Sequence, residues 1–145
     1  MLVTNHVLSG AIIGAVVRHP VPAFVLGVAS HFALDTLPHW GGIRDQRKFL
    51  QIAVPDGLAG LTAIAAMAAI APQERRLAVL AGMAGAALPD LDKPSRLFFG
   101  RSPFPHAWDH FHHAVQHEAP GRAPRELAAA ASLAAVAVIL LRKRG

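Results

Sequence analysis

Between Leu50 and Ala71 the chain reads LQIAVPDGLAGLTAIAAMAAIA, with Asp56 as its one charged residue. A run of that length is long enough to cross a bilayer as a single helix, and in lipid a helix satisfies its own backbone polar groups. This narrows the chain to a helical membrane protein or, as a rival, a soluble Ala-rich bundle that binds a partner through a polar face. Composition favours the membrane: 53% of the 145 residues are hydrophobic and 16% are charged, well to the apolar side of an ordinary globular domain. A chain of this length has room for one domain, taken as residues 1–145.

Four further apolar segments, roughly Thr4 to Val17, Ala23 to Leu37, Leu77 to Leu88 and Leu127 to Leu141, are shorter than the ~20 residues a span usually needs. The expected fold is therefore all-α: a compact membrane bundle of about five helices, some thin or partly buried. Prolines mark the boundaries, because proline lacks an N–H and disfavours helix in the residue before it. Pro20 and Pro22 separate the first two segments; Pro38, Pro72 and Pro89 close the second, third and fourth. Val54-Pro55-Asp56-Gly57 reads as a proline-initiated turn at the start of the third, and Pro124 with Glu126 suits the first turn of the fifth, whose Arg142, Lys143 and Arg144 favour the negative end of the helix dipole. Abundant Ala and Gly let backbones approach closely; Gly82 and Gly85 are too near each other for a GxxxG pair, so general small-residue packing is expected. The first apolar run has no basic flank of the kind that precedes a cleaved signal peptide.

The formal charge of +5 comes from 14 Lys and Arg scattered through short polar segments rather than lined along one helix face, which argues against nucleic acid as a partner. There are no cysteines, so disulfides and thiolate metal sites are excluded and any metal must be held by nitrogen and oxygen. Nine histidines then need a reason.

If five helices alternate in direction, odd starts and even ends share one face of the bundle. His6 starts the first helix; His31, Asp35 and His39 end the second; Asp56 starts the third; Asp90 and Asp92 follow the fourth; His112 and His113 lie between the fourth and fifth. All are expected at one mouth. His31 and Asp35, four apart, project from one helix face about 6 Å apart along the axis, while His39 points back from the turn past Pro38. The alternative for this block is an interfacial His–Asp pair with Trp40 anchored among headgroups, but ionisable groups in a membrane segment are costly and usually functional. Asp90 and Asp92 suit either a turn or a hard-cation pair.

The segment PHAWDHFHHAVQHE, from Pro105 to Glu118, places His106, Asp109, His110, His112, His113, Gln116 and His117 on one side of a helix and Trp108, Phe111 and Val115 on the other. It is expected to lie along the membrane surface with Trp108 and Phe111 in lipid and its imidazoles turned to the mouth. The ligand chemistry fits zinc, with one to three ions among the available groups; manganese and iron are the alternatives. Asp56 or Asp92 would orient or deprotonate the attacking water, and Lys93, Arg96 and Arg101 on the same side would hold a phosphate.

With these residues assembled, the chain resembles small bacterial integral membrane proteins that carry an early Asn-His, then SHFxLDxxPHW, LPDL and FHxxxQ. Here these are Asn5-His6, Ser30 to Trp40, Leu88 to Leu91, and Phe111-His112 with Gln116. It is more distantly similar to the YdjM-like inner-membrane metal-dependent hydrolases, which combine an early His, a P-D-x-D and an H-x-x-x-D, although there the H-x-x-x-D follows the P-D-x-D. The resemblance implies a multi-pass inner-membrane protein and, by analogy with zinc phospholipases C, phosphoester hydrolysis; it favours His112 over His110 or His117 as a ligand. The expectation is thus a membrane-embedded metal-dependent hydrolase whose site, built from His6, His31, Asp35, His39, Asp56, Asp90 and His112 with Asp92 and His113 in support, opens toward a phosphate ester or phospholipid headgroup in the lipid bilayer. Its rival is a non-enzymatic metal-binding membrane protein with a structural or transport role. Eight basic residues on the site side against six opposite lean the site toward the cytoplasm.

Overall fold

In the computed structural model, which describes residues 1–142, the chain is helical almost throughout. Among the described residues, five longer helices are α1 (Val3–Val17), α2 (Pro20–Asp35), α3 (Gln46–Ile70), α4 (Gln73–Ala87) and α7 (Ala123–Arg142), and two short ones are α5 (Asp92–Phe99) and α6 (His106–Val115). The all-α expectation holds at this level. Lys143 and Arg144, assigned above to the end of the fifth helix, lie outside the described residues.

Several boundaries moved for local reasons. Pro20 begins α2 rather than breaking the chain ahead of it, because the first helical residue needs no N–H donor. α3 starts at Gln46, where the Asp45 carboxylate accepts the N–H groups of Arg47 (2.9 Å) and Lys48 (3.2 Å). Pro55 consequently lies inside α3 and initiates nothing. α4 gives way to a 3-10 turn, Leu88–Leu91, and then to α5, with Pro94 in the first turn and Gly100 in left-handed conformation (φ 71°) ending it.

α1 is the central helix, touching α2, α3, α4 and α7, and α4 packs broadly against both α1 and α2. Small residues make this possible. A Cβ at Gly10 or at Gly27 would run into the carbonyl of Gly82, and one at Gly14 into the backbone of Ala78 and Val79. Gly10 and Gly14 are the GxxxG pair, in α1 rather than α4, and the spacing that the Gly82–Gly85 reading passed over is the one the fold uses. Around this contact Val7, Leu8, Ala11, Val79, Met83, Ala137 and Leu141 form the buried core.

α3 and Pro120–Arg142 are each long and apolar enough to cross a membrane, while α1 and α2 are shorter apolar helices. Their outward faces remain apolar: Leu58, Leu61, Leu127 and Ile139 are more than half exposed.

The N-terminus of α1 is held by acids from two other helices. Asp56 of α3 accepts the N–H groups of Val3 (2.6 Å) and Thr4 (3.3 Å), and Glu126 of α7 accepts that of Leu2 (2.6 Å). Both carboxylates complement the positive end of the α1 dipole. Asp56→Ala should therefore cost about 2 kcal/mol, the upper range for a lost helix cap, seen as a lower thermal midpoint by circular dichroism.

Candidate metal centre

The buried polar residues collect at one end of the bundle. His31 and Asp35 sit on the same face of α2, in its last two turns, as their spacing requires. His39 follows on a two-residue bridge, Pro38–His39, that pairs in parallel with His117–Glu118 just after α6. Ala119 N–H donates to the His39 carbonyl at 2.7 Å. This pairing docks α6 beside α2 and brings His112 to His31. Phe32 completes the docking, with ring centroids 5.4 Å from Trp108, 5.0 Å from Phe111 and 5.7 Å from His112. The rings of Trp108 and Phe111 pack on Phe32, and Phe111 stays half exposed.

Asp35 is the centre of the cluster, with no exposed surface. Its Oδ2 lies 3.2 Å from His31 Nε2, 3.3 Å from His112 Nε2 and 3.4 Å from Gln116 Nε2. Its Oδ1 lies 3.2 Å from His6 Nε2, 3.9 Å from His39 Nε2 and 3.1 Å from the Met1 ammonium. His31 Nε2 and His112 Nε2 are 3.0 Å apart. Asp90 Oδ1 closes the group at 3.9 Å from His31 Nε2 and 3.8 Å from His112 Nε2. His6 stacks on His31 with ring centroids 3.8 Å apart.

Tautomers follow from the outer partners. His31 Nδ1–H donates to the Ala86 carbonyl at 2.7 Å, and His39 Nδ1–H donates to the Leu37 carbonyl at 2.8 Å. In the neutral ring each Nε2 then carries a lone pair aimed inward, the arrangement found around metal-ligating histidines. Burial lowers the His39 pKa below the usual imidazole range and so favours that neutral form. The three nearest donor atoms, His31 Nε2, His112 Nε2 and Asp35 Oδ2, are separated by 3.0, 3.2 and 3.3 Å. Ligands at tetrahedral zinc distances would stand about 3.3 Å from one another. The residues present therefore fit a divalent cation.

Beside His112 opens a cavity of about 180 Å³ lined by Asp92, Lys93, Arg96, Asp109, His113 and Gln116. Asp92 Oδ1 is buried there without a hydrogen-bond partner, and burial pushes its carboxyl up, against the pull of Lys93. Burial would lower the Lys93 ammonium, but Asp90, 2.6 Å from Nζ, outweighs it and holds the ammonium above its ordinary value. Asp90 shows the reverse balance: burial would raise it, and the Lys93 ammonium holds it well below the usual carboxylate range. Arg96 bridges Asp109 at 2.5 Å and approaches Asp92 at 3.9 Å.

Of the expected site residues, the structure brings together His6, His31, Asp35, His39, Asp90 and His112, with Asp92, Lys93, Arg96 and His113 around the adjoining cavity. Two expected members lie elsewhere. Asp56, read above as both ligand and base, spends its carboxylate on the α1 amides. Arg101 lines a separate cavity with Ser95, Phe99, Ser102 and Pro103. His106, His110 and His117 are exposed. One residue was missed: Glu126 is buried, accepting from Leu2 N–H, from Asn5 Nδ2 (3.3 Å) and from the Trp40 N–H next to His39. Its partners lie far away in sequence, so its neighbours on α7 carry no sign of the role. Compared with known proteins, the chain matches no protein-family model, no curated protein and no solved structure.

Proposed function

We propose that this chain is a membrane-embedded, metal-dependent hydrolase of phosphate esters. The observation that carries the reading is the triangle of His31 Nε2, His112 Nε2 and Asp35 Oδ2, with edges of 3.0 to 3.3 Å, adjoining a cavity that holds a lysine and an arginine. His31, His112, Asp35 and Asp90 would hold the cation, for which zinc is the first choice. A divalent cation there would lower the pKa of a water and neutralise charge developing on a phosphate. Lys93 and Arg96 would receive the phosphate oxygens, charge-assisted contacts suited to that anion. Asp92, whose carboxyl is raised by burial, would accept a proton more readily than an ordinary aspartate.

Two long apolar helices with exposed outer faces support residence in a bilayer. The likeness to YdjM-like proteins supports an inner-membrane location, and the excess of basic residues on the site side supports a cytoplasmic opening. A second reading, a metal that only staples the fold, draws on the complete burial of Asp35 and its contacts to groups from α1, α2 and α6.

The deciding experiment is elemental analysis of the detergent-purified protein, followed by a screen of soluble phosphoesters and phospholipid micelles with and without chelator. Bound metal and chelator-sensitive turnover are expected, and Arg96→Gln should raise KM about tenfold, the loss of one charged hydrogen bond. Metal without turnover would leave the stapling reading standing.

A further inference from the structure

The Asp35 carboxylate faces different imidazoles with its two oxygens. Oδ2 has His31 and His112 within 3.3 Å; Oδ1 has His6 at 3.2 Å and His39 at 3.9 Å. Each side contains one ring whose Nδ1–H is tied to a backbone carbonyl, His31 on one and His39 on the other. In the neutral rings each side therefore has one Nε2 lone pair turned toward a carboxylate oxygen, a contact that a proton or a cation between them makes attractive.

The imidazoles on the Oδ1 side are the less satisfied. His6 and His39 have no exposed surface, His39 Nε2 and His6 Nδ1 lack a hydrogen-bond partner, and His6 Nε2 has only the Asp35 contact. Buried polar atoms without partners are uncommon and cost on the order of 1–3 kcal/mol each. The Met1 ammonium, 3.1 Å from the same oxygen, is the positive group on that side, and a cation bound there would displace it.

We propose that the centre takes two divalent cations bridged by Asp35, one held with His31 and His112 through Oδ2 and the other with His6 and His39 through Oδ1. Carboxylate-bridged pairs of this kind stand roughly 3.5–4 Å apart and clamp the attacking and leaving oxygens of a displacement at phosphorus. The inference rests on the metal-centre reading above and adds the second position to it.

The test uses the full chain in detergent, stripped with chelator and reloaded with Mn²⁺ alone. Two equivalents should bind, and the electron paramagnetic resonance spectrum should show the multiline pattern of an exchange-coupled pair. His39→Gln should bind one equivalent and give the six-line spectrum of an isolated ion; His112→Ala should also drop to one. A wild-type stoichiometry of one with an uncoupled spectrum would overturn the second position while leaving the first. Two equivalents retained in His39→Gln would overturn the assignment of that position. No binding at all would overturn the metal reading itself. Because the coupling is read on the wild type, a variant that fails to fold does not remove the test.

Discussion

Asp35→Asn should leave the protein folded and unable to retain metal. Asparagine keeps the shape of the side chain but removes the charge, and the imidazoles around it then have no anionic partner at their centre. Loss of a residue merely hydrogen-bonded to a metal ligand costs 10–100-fold in affinity or activity, so loss of the central carboxylate should cost at least about 100-fold in chelator-sensitive turnover. Stability gives an independent reading. A ligand that binds the native state at 100 times its Kd adds about 2.7 kcal/mol, so zinc should raise the thermal midpoint of the wild type and leave that of Asp35→Asn unmoved. Equal zinc-dependent shifts in the two proteins would remove Asp35 from the centre.

This cluster was unusually legible in the sequence, and the reasons are physical. His31, Asp35 and His39 follow one another at intervals of four, so local helix geometry aligns the first two, and the turn at Pro38 returns the third. His6, Asp90 and His112 lie far apart in the chain, but the parity of alternating helices assigns each to an end of the bundle. Parity fixes the end and leaves open which way a side chain points. Asp56 shows the consequence: it stands at the correct end, on the flank of α3 that meets the α1 amides.

Other features had no local signature. Glu126 acquires its role from Leu2, Asn5 and Trp40, all brought to it by the tertiary fold. α5 was hidden by Pro94, which in a flat reading marks a turn and in the structure falls where a helix tolerates proline. Nothing in the α6 segment itself announces Phe32 as a surface on which its aromatic face packs.

Gly82→Leu should be among the most damaging single changes in the chain. Any Cβ at this position would enter the space of the Gly10 carbonyl and crowd the Gly14 amide, both on α1, so one substitution wedges α4 away from α1. Neither obstacle is a flexible side chain that could turn aside. Overpacking in a well-filled core typically costs 1–3 kcal/mol, and a collision with a helix backbone that cannot turn aside should exceed the top of that range, lowering the thermal midpoint sharply or preventing recovery of folded protein. Gly57→Ala provides the contrast: a Cβ there meets nothing within 4 Å, and replacing a helical glycine stabilises by about 0.5–1 kcal/mol. Because α1 carries His6, α2 carries His31 and Asp35, and Asp90 follows α4 directly, Gly82→Ala, milder than Leu, should also weaken metal retention without touching a ligand. Wild-type affinity in a folded Gly82→Ala protein would mean that the glycine contact and the metal centre are independent, and that something other than helix spacing holds the donor atoms together.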